Sequence, residues 1–421
     1  MPAIPSCPSY RMAPDDPRRM LCVVSIQYMP NMRDIAEDAA AAGWQVTALR
    51  AVPRPAYGRE GERTYPLWRF CQAELLDGVT VLNVLALPLD RRRALGRLLV
   101  DLSFALSAWL IIAFRLRHAV LLLDVPPLLM GVMLQAWAHL RHQPCVVSLQ
   151  DLTGLAAQSI IFTKRSLAQR VLAALERWLS RTARHLVTIS DRMADEISRS
   201  GRPRESIHVV QNWCDTRVVT PQPQDNAFSR REGLTDRFVV LHAGTIGLKQ
   251  SVDAILGAAA RLRDLPDLVI LFVGSGVARE RAEREAQQRG LSLVRFLPFQ
   301  PWEDVPLVYA AADVCLVTLG HGMSRFCVPS KAWSILCAGR PMIVAADPDG
   351  ETAAVVAESG AGLVVSPDDA EALAQAIRWC YEHRQELPRM GNQARAWAEH
   401  NLDRGAATRS YLQVVECALS T

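Results

Sequence analysis

Two doubly wound α/β domains in tandem are the fold class that this sequence predicts, on three observations. Continuous apolar runs of strand length alternate with longer helical segments, and such runs belong to parallel strands buried on both faces. A stretch rich in Pro, Gln and Asn interrupts the alternation near the middle, after which it restarts. The chain has 421 residues, 50% apolar and 21% charged, which is enough for two cores and too long for one.

Residues 1–19 are Pro-rich, mixed in charge and without an apolar signal-peptide core, so they read as a disordered tail with nothing directing export. LCVVSI (21–26), WQVTAL (44–49), AVLLLD (119–124), CVVSLQ (145–150), HLVTIS (185–190) and IHVVQN (207–212) follow as predicted strands. Helical patterns such as 32–42 and 191–200 lie between them, and together they make a first domain over 20–217. VVTPQPQDNAFSRREGLTD (218–236) suits a linker. RFVVLHAG, LVILFVG, LVRFL, VCLVTL, MIVAA and GLVV then build a second domain over 237–395. A C-terminal helix over 396–421 is placed to return to the first. Sheets of this kind bind ligands beyond the carboxyl ends of their strands, so a cleft with the two domains facing across it is the expected site.

Charge and cysteine usage narrow the function classes. Residues 1–217 hold 27 Lys+Arg against 19 Asp+Glu, a balance of +8, and residues 218–421 hold 20 against 24, a balance of −4. A basic half beside an acidic half points to one lobe meeting an anionic partner. No RNP-like aromatic motif or helix-turn-helix pattern supports nucleic acid, which leaves membrane lipid. The ten cysteines occur singly, with no zinc spacing and no disulfide framework, as in a reducing cytoplasm.

The stretch FCVPSKAWSILCAGRP (326–341) predicts a short helix with both ends marked, Pro329 and Ser330 at the start, Gly339 and Pro341 at the stop. Lys331 and Ser334 share a face, while Ala332, Ile335 and Leu336 turn to a core. Unpaired N–H groups with a hydroxyl and an ammonium beside them make a candidate diphosphate seat; a capped helix with a solvent-facing lysine is the alternative. Gly244 and Gly247 bracket a turn after RFVVLHAG that leads to Lys249, whose backbone could approach a phosphate and whose lysine could reach it. That turn lacks the Walker and dinucleotide spacings and serves equally as a tight connection. Gly274-Ser275-Gly276 reads as a plain strand-to-helix turn. Glu351 reads as a first-turn acid matched to a helix dipole.

Two segments bear on membranes. RRRALGRLLVDLSFALSAWLIIAFRLR (91–117) holds an apolar stretch from 98 to 114, about 17 residues, interrupted by Asp101 and flanked by arginines, which suits a buried or interfacial helix better than a span. Further on, Leu167, Val171, Leu175, Trp178 and Leu179 form an apolar stripe beside Arg170, Arg177, Arg181 and Arg184. Either a core helix with a solvated face or a membrane-surface helix has this pattern.

Taken in order, HAGTIGLKQ, LVILFVGSG, VRFLPFQPWEDVPLVYAAADVCLV and VPSKAWSILCAGRPMIV resemble the donor-binding domain of family-4 glycosyltransferases of the GT-B fold. DGVTVLNV, AVLLLDVPPLL, VVSLQDL, LVTISDRM and VVQNWCD are similar to acceptor-domain landmarks of members that build O-antigen and exopolysaccharide repeat units. The resemblance implies transfer of a hexosyl or N-acetylhexosaminyl group from a nucleotide-diphosphate sugar to a lipid-linked (polyprenyl-diphosphate) saccharide, with retention and without a cofactor or metal. The place is the cytoplasmic side of the inner membrane, with the protein held peripherally. It puts Lys331, Lys249, Ser330, Ser334, Gly244 and Gly247 at the donor and makes Asp151 the acceptor-side carboxylate; His321 lies either by the donor sugar or on a flexible surface loop. Asp151 serves equally as the N-cap of the helix that follows. Many members carry two glutamates with seven residues between them; here those positions are Phe326 and Ser334. After Asp151-Leu152, Thr153-Gly154 stands where relatives have Trp-Pro. Two other classes remain open: a nucleotide-sugar epimerase of the same fold, and a catalytically silent nucleotide-binding homologue.

Overall fold

The computed structural model describes residues 19–28, 30–51, 71–89, 94–159 and 167–420, so the expected tail, apart from Arg19, lies outside the described residues. The chain divides into two compact units, Met1–Asn212 with Arg404–Thr421, and Trp213–Asp403.

The first unit runs β1 (Met20–Val24), α1 (Pro30–Ala41), β2 (Gln45–Ala51), β3 (Cys71–Leu76), β4 (Val79–Val84), α2 (Ala94–Arg115), β5 (Val120–Val125), α3 (Leu128–Arg141), β6 (Cys145–Leu149), α4 (Thr153–Ser159), α5 (Leu167–Thr182), β7 (His185–Thr188), α6 (Asp191–Arg199) and β8 (Ile207–Val209). The second runs α7 (Ala227–Arg231), β9 (Phe238–Ala243), α8 (Val252–Arg261), β10 (Leu268–Val273), α9 (Arg279–Gln288), β11 (Val294–Leu297), α10 (Val305–Ala310), β12 (Val314–Thr318), α11 (Lys331–Cys337), β13 (Met342–Ala345), α12 (Glu351–Ser359), β14 (Gly362–Val365), α13 (Ala370–Glu382) and α14 (Leu387–Asn401). The last helix, α15 (Arg404–Ser420), belongs to the first unit.

Among the described residues the first unit has a sheet of order β3-β4-β2-β1-β5-β6-β7-β8, parallel except for the antiparallel edge strand β3. Every residue of β5 is buried, because α1 and α15 pack on one face of the sheet and α2, α3 and α5 form the other layer. The β3–β4 hairpin is an addition to the predicted strands. CQAELL offers no apolar run, since an edge strand is half solvated, but Asp77 and Gly78, with φ of 50° and 81°, are the residue pair that a type I′ turn requires. Helix α15 is tied to α1 by Arg404, which pairs with Asp34 (2.9 Å), Glu37 (3.1 Å) and Asp38 (2.8 Å). Further along, its buried Tyr411 hydroxyl lies 2.9 Å from Ser148 Oγ on β6.

The second unit's sheet has the order β11-β10-β9-β12-β13-β14 with every pair parallel, each strand beginning where an apolar run was expected. Two sequence boundaries need correction. The first unit ends at Asn212, and residues 218–236 are part of the second unit's body rather than a linker. Their polar composition is capping chemistry. Asn226 Oδ1 accepts from the amides of Phe228 (2.9 Å) and Ser229 (3.1 Å), Ser229 Oγ accepts from the Asn226 amide (2.8 Å), and Asn226 Nδ2 donates to the Leu307 carbonyl on α10 (3.1 Å). At the other end, the boundary expected at 395/396 falls inside α14; the helices divide at Leu402–Asp403 instead.

Two alternatives were open for helix α5. It turns Gln169, Ala173, Glu176, Leu179 and Ser180 inward, and of the predicted stripe Leu179 is buried, Leu175 half-buried and Leu167, Val171 and Trp178 exposed. The inward glutamate serves the neighbouring helix. Its buried carboxylate accepts from the amides of Gly154 (3.0 Å) and Leu155 (2.8 Å), supplying negative charge to the start of α4. Removing it leaves two amides buried without an acceptor. Glu176→Ala should therefore cost about 2 kcal/mol in the first unit's transition in urea, a shift that an unchanged midpoint would exclude.

Candidate functional site

In the second unit the strand order reverses between β9 and β12, and at such a reversal the loops leaving the two strands splay apart to open a ligand crevice. The loop from β9 is the 244–249 turn. The Gly244 amide donates to the Val273 carbonyl (2.8 Å), the Ile246 amide to Ser275 (2.9 Å), and the Ala278 amide returns to Ile246 (3.1 Å). A Cβ on Gly274 would fall on the Gly244 carbonyl, and one on Gly276 on the Ile246 carbonyl. Gly274-Ser275-Gly276 is thus more than a plain turn: it lets two loops lie backbone on backbone, which holds the 244–249 turn in place.

Lys331, the first residue of α11, reaches this turn. Its Nζ lies 3.0 Å from His242 Nε2 at the end of β9 and would be 3.9 Å from a Cβ placed on Gly244. Burial lowers the ammonium to about 7, with a smaller opposing influence from the Cys315 thiol. The helix itself spans only seven residues, and Ser330 makes no side-chain cap. Its first amides are taken by its own turn, Ala332 to the Pro329 carbonyl (3.0 Å) and Trp333 to Ser330 (3.2 Å). Lys331, rather than the helix start, is therefore what α11 presents. Ser334 shares the inward orientation, its hydroxyl bonding the buried Tyr309 phenol. Phe326, at the position of the other family glutamate, is 2% exposed.

The loop from β12 is stitched to the same turn. The Gly320 amide donates to the Lys249 carbonyl (2.8 Å), while the Lys249 side chain is half-buried. Asp347 and Asp368, which no sequence motif singles out, anchor this loop. The His321 amide donates to Asp368 Oδ2 (2.9 Å), the Gly322 amide to Asp347 Oδ1 (2.9 Å), and the Ser251 hydroxyl to Asp368 Oδ1 (2.6 Å). His321 is 84% exposed, with its Nδ1 3.3 Å from Asp347. The available signal was position: both aspartates follow closely on the carboxyl end of a strand, where loops carry function. Glu351 opens α12, as a first-turn acid does.

The first unit has its own reversal, between β1 and β5, and there Ser25 Oγ donates to Asp124 Oδ2 (2.6 Å). Asp124 is 8% exposed; burial pushes its carboxyl up to about 6, Ser25 lowering it and Asp151 raising it. Asp151 stands at the end of the neighbouring strand. Beside it a chain of amides runs from Asn31 Nδ2 to Asn212 Oδ1 (2.9 Å), from Asn212 Nδ2 to Gln150 Oε1 (2.8 Å), and from Gln150 Nε2 to Ser148 Oγ (2.9 Å). Of the two amides that an N-cap at Asp151 would serve, those of Thr153 and Gly154, the second is already taken by Glu176. Asp124 was missed because AVLLLD reads as a strand terminus and nothing local distinguishes a buried aspartate there.

Two family descriptions match the chain in succession: "Glycosyl transferase 4-like domain" over residues 30–213 and "Glycosyl transferases group 1" over 224–397. The chain belongs to the family-4 glycosyltransferases. It is 27% identical over 412 residues to the putative colanic acid biosynthesis glycosyl transferase WcaI of Escherichia coli K12, covering 93% of this chain and 98% of that one. Over 218 residues it is 27% identical to the probable glycosyltransferase WbjE of Pseudomonas aeruginosa, covering 52% and 54%. Its fold is GT-B. Sucrose-phosphate synthase from Thermosynechococcus elongatus superposes with a TM-score of 0.73 at 18% identity, covering 94% of this chain and 97% of that one. Anabaena HepE in complex with UDP-glucose gives 0.69 at 17%, covering 96% and 100%. Where this glycosyltransferase departs from the Trp-Pro of relatives, the structure supplies a reason: a Cβ on Gly154 would lie 2.8 Å from the Leu172 carbonyl, so α4 meets α5 at a distance only glycine permits.

Asp124 makes a pH prediction. A carboxyl at about 6 in the fold and 3.8 in the unfolded chain costs stability above pH 6, and the cost disappears as pH falls below 3.8. Asp124→Asn should raise stability by on the order of 2 kcal/mol at pH 8 and leave it nearly unchanged at pH 4, as read from urea unfolding at the two pH values. A loss of stability at pH 8 would contradict this reading.

Proposed function

We propose that this glycosyltransferase moves a hexosyl or N-acetylhexosaminyl group, with retention, from a nucleotide-diphosphate sugar to a polyprenyl-diphosphate-linked saccharide in surface polysaccharide assembly. The observation that carries the proposal is the Lys331 ammonium beside Gly244 at the strand-order reversal, where a cation and an open backbone suit a diphosphate. Lys331, with Lys249 from the adjoining turn, stabilises charge developing on the leaving diphosphate, and Ser330, Ser334, Gly247 and His321 line or brace the donor region. Asp151 orients the acceptor hydroxyl in the first unit. The colanic acid role in WcaI's name, the involvement of the structurally similar WaaG in lipopolysaccharide biosynthesis and the UDP-glucose bound to HepE support the substrate classes.

The test is incubation of the purified protein with UDP-, GDP- and dTDP-sugars, with and without lipid extract. Lys331→Ala should weaken nucleotide-sugar binding at least tenfold, about 1.4 kcal/mol, with little change in Tm. Asp151→Asn should bind donor normally and lose transfer. Equal affinity in the first variant, or normal transfer in the second, removes that residue from its role. Free sugar or an altered nucleotide sugar released without lipid would instead make the protein an epimerase, and binding without turnover a silent homologue.

Attachment to the cytoplasmic leaflet belongs to the same reading. Helix α2 is long and apolar enough to cross a membrane, yet it buries Val100, Phe104, Ala108 and Ile112 in the unit and exposes Leu95 (67%), Leu106 and Phe114 (79%). Helix α5 exposes Leu167, Val171 and Trp178 beside Arg170 and Arg181. Apolar anchors ringed by arginine suit an interfacial seat on an anionic leaflet, where each basic side chain contributes about 1 kcal/mol, screened by salt. High-salt or carbonate washing should release a substantial part of the protein from membranes, and Arg177→Glu with Arg181→Glu should enlarge the soluble fraction. Complete retention after both washes would mean that α2 is inserted.

A further inference from the structure

We propose that His242 is the positioning residue of the donor site: its Nε2 lone pair holds the Lys331 ammonium and aims the remaining N–H donors over Gly244, so that the diphosphate meets a cation already oriented. This rests on the reading of Lys331 as the donor-diphosphate ligand.

Three observations on the pair support it. His242 has no exposed surface, and its Nδ1 is buried without a hydrogen-bond partner. A buried polar atom left unpaired is costly, so an imidazole at this position in β9 asks for a compensating role at its other nitrogen. That nitrogen is the one 3.0 Å from Lys331 Nζ. An ammonium has three donors and no acceptor, so a lone pair at Nε2 consumes one and fixes the direction of the other two.

Second, the choice of lysine is informative in this chain. Of 47 Lys+Arg residues only Lys164, Lys249 and Lys331 are lysine. Arginine cannot give up its proton, whereas a lysine in a desolvated pocket can. Third, the surroundings favour a neutral imidazole and a labile ammonium. Burial and the neighbouring lysine hold His242 well below its ordinary value, and burial brings Lys331 to about 7. The other titratable groups around the pair are Cys315 on β12, pushed up to about 12 by burial, and Tyr309 on α10, also raised; both are neutral near pH 7. The imidazole lone pair is then the acceptor that keeps Nζ charged and in place.

The consequence is linkage. A bound diphosphate favours the ammonium, so donor binding takes up a proton at Lys331 above pH 7. Affinity is level below pH 7 and declines above it, by about tenfold per pH unit, until the bound-state value is passed.

With three lysines, protein labelled with [13Cε]-lysine gives three NMR signals, and that of Lys331 is assigned by Lys331→Arg. The expected result is a Lys331 titration near pH 7 that moves up by at least one pH unit on adding UDP-glucose, or GDP-mannose or dTDP-rhamnose if one of these binds more tightly. In His242→Phe the midpoint should fall and nucleotide-sugar affinity at pH 7 should drop about tenfold; His242→Gln, which keeps an acceptor, should restore both to within about threefold. A Lys331 signal titrating near 10 in the wild type, or the same midpoint and affinity in His242→Phe, overturns the proposal. Should His242→Phe fail to fold, the wild-type titration and its response to nucleotide sugar decide. A low midpoint that no nucleotide sugar moves overturns the donor reading itself, and the proposal with it.

Discussion

Backbone-on-backbone packing of the 244–246 and 274–276 segments is the constraint on which the loops around Lys331 rest. Side chains at Gly274 or Gly276 would occupy the same space as the carbonyls of Gly244 and Ile246. Because both positions are glycine, the two loops extend the β9–β10 pairing past the end of the sheet and close the 244–249 turn into a fixed shape. Gly320 then hangs the β12 loop on Lys249's carbonyl, and Asp347 and Asp368 hold that loop from β13 and β14. The loops leaving β9, β10, β12, β13 and β14 are thereby referenced to one glycine contact, and Lys331 is the side chain that this framework receives.

The two units solve the same problem with opposite charge. Each has a strand-order reversal, and each holds one ionisable group there against a neutral partner: the buried Asp124 against Ser25 in the first, the half-buried Lys331 against His242 in the second. In both cases desolvation pushes the group toward its uncharged form, to about 6 and about 7. Such groups cost stability when charged, and a fold that keeps them at the mouths of its strands sacrifices stability where ligands are handled.

The loss of two glutamates looks less severe in this setting. Phe326 is built into the core and Ser334 is committed to Tyr309, so neither position is a vacated ligand. Apolar packing surrounds the first position and a hydroxyl pair occupies the second. The aspartates at 347 and 368 instead brace the loop that carries His321.

The alternation of apolar runs determined two parallel-sheet units and nearly every strand, because a strand buried on both faces must be apolar throughout and these runs are of strand length and set between longer helical segments. The turn chemistry of Gly244, Gly247 and the PSK segment likewise marked the turn and helix that the second unit brings together at its strand-order reversal. What the sequence could not decide is which way a polar side chain points once its helix is packed. By periodicity Lys331 and Ser334 could have faced solvent, yet they turn to His242 and Tyr309; the α5 stripe could have faced a core or a surface, and Leu167, Val171 and Trp178 are exposed. Long-range partners such as His242, 89 residues from Lys331, and Glu176, 21 residues from Leu155, decide the orientation, because a buried hydrogen bond outweighs the small preference of one helical face over another. Asp124 is invisible for the same reason: its chemistry comes from Ser25, 99 residues away, and from a burial that only the closed sheet creates.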